Sequence, residues 1–542
     1  MKKAIVIGAG IGGLSTAVYM RALGLDVTVI EAQVHPGGKI RTKPSNLGPV
    51  DTGPTVLTLL PVIRDLFAAL GRNLNADLDL VQEQLLARHF WRDGSQLDLV
   101  GDPEANARAI ATFAGPKDAD AFLRFRAAAQ RLFDAFSAPI MQMPAPSQLH
   151  ATHAVLRHPR LALDMAPHLS LARLLSGRFG DPRLQQLFGR YATYVGGTPY
   201  QSPALLSLIW RAEEMGVWRI RGGMHRLPAA LADLLVQNGA ELRFNELVRR
   251  VQINEAGAST VVTDAGQSLD ADVIVFNGDP RALDQGALGS DLMDAVKPAP
   301  LEHRSLSAHV LACAAQWSGP KLAHHNLFFT DDPRQEFDPI AERQPPRRAT
   351  LYLCAQDRSD TSPPPAGPER FEIIENAAPM TAGTTWKEDT TCLTRIRSAL
   401  ASFGAGLSPF PTAQQLSSPQ DFARLFPHSL GSLYGQSPHA LMATFRRPTA
   451  KTRMRGIYLA GGGTHPGAGV PMAALSGRHA AETIAKDLGL TWPFPQTDMR
   501  GGTSTGSPIA APTQSRSSPS SDRSSHPGTD GPGDAIRKTT SA

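Results

Sequence analysis

The stretch "AIVIGAGIGGLSTAVYM", residues 4 to 20, constrains this chain more than any other. Behind Met1-Lys2-Lys3 it imitates the start of an export signal, which has a basic end followed by an apolar run of roughly 7–15 residues. The glycines decide against that. Gly8, Gly10 and Gly13 fall in G-x-G-x-x-G register directly after Ile5-Val6-Ile7 and before a stretch that can be helical to about Gly24. Gly8 permits a tight turn, Gly10 lets a pyrophosphate approach the backbone, and Gly13 allows close helix–strand packing. The helix N-terminus then offers unpaired N–H groups and partial positive charge to an anion. A second strand, Val27-Thr28-Val29-Ile30, ends in Glu31, placed where an acid can hold a ribose hydroxyl. No small-residue cleavage site follows, so the segment is expected to be a dinucleotide cradle.

The rest of the chain bounds the class. At 542 residues it exceeds the usual single domain, so more than one is expected. Lys and Arg number 54 against 49 Asp and Glu, a balance that gives no reason to invoke nucleic acid. Cys313, Cys354 and Cys392 are scattered, without CxxC spacing, which predicts neither a disulfide framework nor a zinc site and fits a reducing, cytoplasmic setting. His324-His325 lacks partners at ligand spacing and is expected in a polar loop, so no metal is expected. No segment has the roughly 18 uncharged apolar residues of a membrane span. The end of the chain, 491–542, is dominated by Ser, Thr, Pro and Gly and is expected to be a disordered tail.

Along the chain, "HPGGKIRT" places Lys39 and Arg41 after a Gly37-Gly38 turn, and "VDTGPTVLT" leads into a region, about Leu59 to Arg219, whose apolar spacing predicts mostly helix. Within it, Thr152 to Arg178 interleaves Arg157, Arg160, Arg173 and Arg178 with Leu, Met and Ala, as in a segment lying on an anionic bilayer or in a helix pair packed on its own domain. A helix over about Leu227–Gln237, strands over Val248–Ile253 and Ser259–Thr263, and the buried run 272–277 follow. A third block, "GIYLAGGGTHPGAGVPMAALSGRHAAETIAKDL", gives a short strand, a Gly461-Gly462-Gly463 turn and a helix from Val470. A second glycine cradle would be redundant unless it served another part of the same cofactor.

These three pieces, in this order, resemble the flavin-dependent amine oxidase and phytoene desaturase superfamily, in which they jointly hold FAD. "LAGGGTHPGAGVPM" resembles the last motif of bacterial carotenoid desaturases, whereas amine oxidases typically carry an acid in that loop; here Gly463 precedes Thr464. "RYATYVGGTPYQSP" and "GVWRIRGGMHRL" also resemble this family, and the likeness runs to about residue 490. "LAHHNLFFTDDPRQEFD", "LYLCAQDR" and "YGQSPHALMATFRRP" resemble the 1-hydroxycarotenoid 3,4-desaturases (methoxyneurosporene dehydrogenases) of purple bacteria.

The resemblance implies an α/β fold with a composite Rossmann-like FAD domain (1–60, 220–285, 450–490) and an interleaved helical and mixed-sheet substrate and membrane-facing region (61–219, 286–449). It implies Gly8, Gly10, Gly13, Glu31, Gly38, Lys39, Val248, Gly461, Gly462, Val470, Pro471 and Met472 at the cofactor, with adenosine on Glu31 and Val248 and the isoalloxazine near Val470 to Met472. Lys39 replaces the arginine of many relatives, keeping the charge but losing its planar fork. The implied reaction removes two hydrogens beside a polyene, one as hydride to the flavin, with an acyclic carotenoid as substrate and peripheral contact with the inner membrane. Loss of hydride there leaves an allylic cation, so a modest base suffices and no catalytic triad is expected. Asp51, Tyr194, His225 and His465 are conceivable proton acceptors, each more readily structural or cofactor-adjacent. Phytoene desaturase-type chemistry, a flavin oxidase of amines and a non-catalytic lipid carrier stay open at this point, as do the electron acceptor and the oligomeric state.

Overall fold

The computed structural model describes residues 1–253, 259–298, 304–359, 363–381 and 390–499. Its nucleus is a five-stranded parallel sheet in the order Ile457–Leu459, Val273–Phe276, Lys3–Ile7, Asp26–Ile30, Glu241–Arg243. The register aligns Tyr458, Val275, Val6, Val29 and Leu242 in one row across it. Short β-branched strands suit a sheet buried on both faces. Ala4, Val6, Val27, Val29 and Val275 face a helical layer, while Ile5, Ile7, Ile274 and Phe276 face the antiparallel meander Val248–Ile253, Ser259–Thr263 and Ser268–Ala271. Three stretches far apart in sequence therefore close a single sheet.

The helix Ile11–Ala22 is uncharged until Arg21 and is buried almost all round, as a helix enclosed by sheet and helices must be. Beyond its end, Gly24 takes φ +81°, and Arg21 Nε donates to the Asn238 carbonyl (3.0 Å). The helix Val470–Asp487 lies against it, with Ser15 Oγ donating to the Ala474 carbonyl (2.7 Å). A Cβ on Gly477 would stand 2.3 Å from the Gly12 carbonyl oxygen, so only glycine lets these two helices meet.

The second sheet is eight-stranded and mixed, running Gly406–Ser408, Ser307–Ser318, Glu369–Ala377, Leu351–Ala355, His325–Phe328, Leu85–Phe90, Gln96–Val100, with Leu416–Ser417 also on Ser307–Ser318. One face packs Leu311, Leu353 and Phe371 onto Ile396 and Leu400 of the helix Thr390–Ala401. Two of its strands, Leu85–Phe90 and Gln96–Val100, lie where apolar spacing predicts helix, and they correct that reading. "LLARHF" carries no β-branched residue; pairing of Phe90 with Phe328, in parallel register, makes it a strand. Aromatic side chains of the helical region, Phe122, Phe125, Phe179, Phe188 and Trp210, stack into a core of their own.

The expected tail boundary also moves. Trp492 and Phe494 pack on Tyr19 at centroid distances of 5.5 and 5.1 Å, Thr497 Oγ1 donates to Asp65 Oδ2 (2.6 Å), Gln142 Nε2 donates to the Thr497 carbonyl (2.8 Å), and Met499 is buried. The polar composition of 491–542 hides these aromatic anchors at its start; residues 500–542 lie outside the described residues. A buried aromatic side chain contributes about 1.5–3 kcal/mol and each hydrogen bond about 1 kcal/mol. A chain ending at Leu490 is expected to melt at least about 5 °C below one ending at Met499 in calorimetry of the flavin-loaded protein.

Candidate active site

The first glycine turn has the strain its sequence implies. Gly8 sits at φ +102°, a region costly for any side chain. A Cβ on Gly13 would lie 2.1 Å from the Gly8 carbonyl oxygen, and one on Gly12 would lie 2.5 Å from the Gly461 nitrogen. Glu31 ends its strand beside this turn, where Oε2 accepts from the Ala9 N–H (2.7 Å) and Oε1 from the Gln33 N–H (2.8 Å). Burial pushes its carboxyl pKa up, and those backbone donors and Arg41 partly offset the shift. The Gly37-Gly38 turn lies across the loop: Gly10 bridges Gly37, and a Cβ on Gly38 (φ +59°) would come within 3.2 Å of the Gly10 Cα.

The second cradle meets the first through a residue that sequence reasoning left in a strand. Asn277 follows Val273–Phe276 and its Nδ2 donates to the Gly8 carbonyl (3.1 Å), while Oδ1 stands where a Gly461 Cβ would clash at 2.7 Å. Its signal was its place at the carboxyl end of a buried parallel strand, where open α/β sheets bind ligands. Gly461 N–H donates to Ser476 Oγ (2.7 Å), and Gly462 gives its carbonyl to Arg447 Nη1 (3.1 Å). Arg447 and the buried Arg304–Asp279 ion pair were likewise missed, because nothing in their local sequence separates them from surface charges.

A cavity of about 1700 Å³ runs from these turns into the substrate region. Every residue expected at the cofactor lines it except Gly13, which does its packing behind. Lys39 reaches the cavity but donates through Nζ to the Leu433 carbonyl (2.5 Å), 5.3 Å from the centre of the Phe426 ring, and burial draws its pKa down to about 8. Backbone that a Cβ would fill, two helix N-termini and a buried acid at the strand end together fit a dinucleotide. The volume exceeds the usual 300–1,000 Å³ of a small-molecule pocket, which leaves room for a second, long ligand.

Of the conceivable proton acceptors, only Tyr194 lines the cavity. Asp51 accepts from the Met224 N–H (2.7 Å) and pairs with His225 Nδ1 (2.8 Å) away from it. His465 Nε2 contacts the Ile140 and Met143 carbonyls (2.9 and 3.1 Å), and burial lowers its pKa to about 4. His324 and His325 are buried rather than looped out. His325 opens a strand and shares a hydrogen bond with the Tyr352 hydroxyl (2.7 Å), while His324 lies 3.5 Å from Cys354 Sγ. The nitrogen and sulfur atoms of this trio lie within 4.8 Å of one another.

Residues 11–485 match the family of flavin containing amine oxidoreductases. The chain is 52% identical over 487 residues to a hydroxyneurosporene desaturase of Cereibacter sphaeroides, covering 90% of this chain and 98% of that one. It is 47% identical to a hydroxyneurosporene desaturase of Rhodobacter capsulatus, covering 89% and 97%. The chain belongs to the carotenoid desaturases of the flavin-containing amine oxidoreductase family. An oxidoreductase from Methanosarcina mazei, 16% identical, shares the fold with a TM-score of 0.55 over 89% of this chain and all of that one. This carotenoid desaturase family member is therefore an FAD-dependent oxidoreductase on a composite α/β fold.

The glycine contacts make a test that leaves the cavity wall untouched. Gly477→Val would drive a side chain into the Gly12 backbone and the flank of Ser15, and overpacking of this kind costs about 1–3 kcal/mol or more. The variant is expected to purify with less than half the flavin of the parent, read from the flavin-to-protein absorbance ratio.

Proposed function

We propose that this chain introduces a double bond into an acyclic 1-hydroxycarotenoid, at the 3,4 position, while in peripheral contact with a membrane. The observation that carries the reading is the likeness to the hydroxyneurosporene desaturases along nearly the whole chain. The cavity supports it. Beyond the glycine turns its floor is the second sheet, where Val310, Ile374, Tyr352 and Leu327 stand in one cross-strand row. A long apolar molecule can lie on that floor with its end at the glycine loops.

FAD, when bound, accepts a hydride from the saturated carbon beside the polyene. The protein's part is to hold the substrate end still, keep water out and leave the second hydrogen to depart as a proton. Burial raises the Tyr194 phenol well above its ordinary pKa, so it is no base at neutral pH. Conjugation in the substrate makes a strong base unnecessary, and positioning supplies the larger share of the rate.

We place the membrane contact on the helices Gln148–Arg157 and Arg160–Met165. Leu149, Leu156 and Leu163 are 82%, 75% and 76% exposed there, among His153, Arg157, His158 and Arg160. Asp164, the nearby acid, is taken up by Arg131 (2.8 and 3.0 Å). The later part of the basic stretch differs, since Leu171, Leu174 and Leu175 are buried. Exposed leucines rimmed by cations suit an anionic lipid surface, and Ile140 and Met141, just before these helices, line the cavity. Among the described residues no helix is long and apolar enough to cross a membrane.

Changing Leu149, Leu156 and Leu163 together to serine is expected to weaken sedimentation with anionic liposomes more than tenfold, with flavin content unchanged. Equal binding by parent and variant would move the docking site elsewhere. Expression in cells that accumulate 1-hydroxyneurosporene is expected to yield a pigment with one more conjugated double bond; Gly10→Val, which fills the pyrophosphate approach, is expected to abolish that conversion.

A further inference from the structure

Beside the floor of the cavity, the second sheet buries a group of polar side chains, none of which lines the cavity itself. His325, Cys354 and Glu372 stand in one cross-strand row. Leu353 and Phe371, the residues before Cys354 and Glu372, face the helix Thr390–Ala401, so by alternation the row turns to the other face. His324 joins it from just before its strand. All four residues are buried, Cys354 and Glu372 completely.

The two histidines are prepared as ligands. His324 Nδ1 lies 2.9 Å from the Arg358 carbonyl, which can only accept, so Nδ1 carries the proton and Nε2 the lone pair. That Nε2 stands 3.5 Å from Cys354 Sγ. Metal bonds of about 2.0 Å to nitrogen and 2.3 Å to sulfur, at a tetrahedral angle, also separate the two ligand atoms by about 3.5 Å. His325 shares a hydrogen bond with the Tyr352 hydroxyl through Nδ1 (2.7 Å), and its Nε2 is buried without a partner. One ligand atom from each of His324, His325 and Cys354 lies within 4.8 Å of the other two. Histidines anchored through one ring nitrogen, with the other left over, are typical of metal sites.

The charges fit an ion as well. Both oxygens of Glu372 are buried without a hydrogen bond of good geometry, and Gly53 and Thr55 nearby only soften that cost. Burial pushes the Cys354 thiol and the Glu372 carboxyl well above their ordinary pKa values, so both stay protonated without a cation beside them. A divalent ion displaces the two protons to solvent, and thiolate, carboxylate and ion then sum to no net charge. A second buried group, His309, Glu375 and Cys392, offers similar atoms, but there Arg395 already neutralises Glu375 (2.7 Å).

We propose that His324, His325 and Cys354 bind a borderline-soft divalent ion, zinc(II), with Glu372 as its countercharge. Thiolate and imidazole select such an ion over magnesium or calcium, which prefer oxygen ligands. Its role is structural. The ion fastens the strands His325–Phe328 and Leu351–Ala355 to each other, and through His325 it steadies Tyr352, the floor residue whose hydroxyl also bonds Thr55 Oγ1 (2.6 Å).

The test uses the tag-free, flavin-loaded full chain, produced in zinc-depleted medium with or without cobalt(II), a coloured substitute for zinc. The site is closed to solvent, so the ion is supplied while the chain folds. The parent is expected to retain about one cobalt per chain, with a thiolate-to-cobalt charge-transfer band and with d–d bands in the red, where oxidised flavin does not absorb. Both sets of bands are expected to vanish in Cys354→Ser. The cobalt-loaded parent is expected to melt a few degrees above the metal-free parent, whereas Cys354→Ser melts alike from either medium. Cobalt held without the thiolate band, or held equally by Cys354→Ser, is adventitious binding at surface histidines and overturns the site. A parent that retains no cobalt overturns it too, and His324 and Cys354 then share only a hydrogen bond. If Cys354→Ser loses its flavin, His324→Gln decides by the same bands.

Discussion

The structure depends on a close approach of backbone between segments more than 400 residues apart. A Cβ on Gly12 would lie 2.5 Å from the Gly461 nitrogen and one on Gly477 2.3 Å from the Gly12 carbonyl oxygen, while one on Gly461 would lie 2.7 Å from Asn277 Oδ1. Close packing of this kind tolerates no added methyl group, because interiors are filled to crystal density. The seam brings the N-termini of the helices Ile11–Ala22 and Val470–Asp487 beside one cavity, a placement in which two helix dipoles can act on the same anionic group. Asn277 joins the seam from the third segment. Its side-chain amide N–H bonds the first turn and its side-chain oxygen packs on the second, which couples both cradles to the strand Val273–Phe276.

Several charges buried near this seam and in the second sheet are compensated. Arg304 pairs with Asp279, Arg358 pairs with Glu369 at 2.6 Å, and Arg447 spends its guanidinium on the carbonyls of Tyr434, Gln436 and Gly462. Buried cations treated this way act as cross-links between loops that have no regular pairing of their own. Arg447 is the clearest case, since burial and the neighbouring Arg304 lower its pKa to about 10 while its donors hold the second glycine loop against Tyr434. The substrate region is built on a different principle. Its sheet turns one face to the helix Thr390–Ala401 and leaves the other to the cavity, so a single layer serves both as core and as binding floor.

Legibility followed the range of the interactions. The turn at Gly8 and the helix after it could be read because strand, turn and helix are contiguous and each step has a local steric reason. The meander at 248–271 and the buried strand at 273–276 showed in their β-branched alternation. Strand Leu85–Phe90 was hidden because one of its partners, His325–Phe328, lies across a long loop closure, and Gln96–Val100 is the edge strand of a local hairpin with it. Trp492 and Phe494 were masked by the polar sequence after them, and their worth lies in Tyr19, at the other end of the chain.

The sequence by itself determined that the chain carries a dinucleotide fold made from separate pieces, and its motifs pointed to the desaturase family, since glycine spacing and strand patterning are local and period-specific. Only the tertiary structure decided which polar residues face the cavity. Asp51, His225 and His465 are turned into structural bonds elsewhere, while Arg190 and Tyr194 open on it from a short 3₁₀ segment whose sequence looks unremarkable. The reason is geometric. A hydrogen bond to a ligand depends on the direction of a side chain and on which partners it already has, and both are set by packing between segments that no local pattern records.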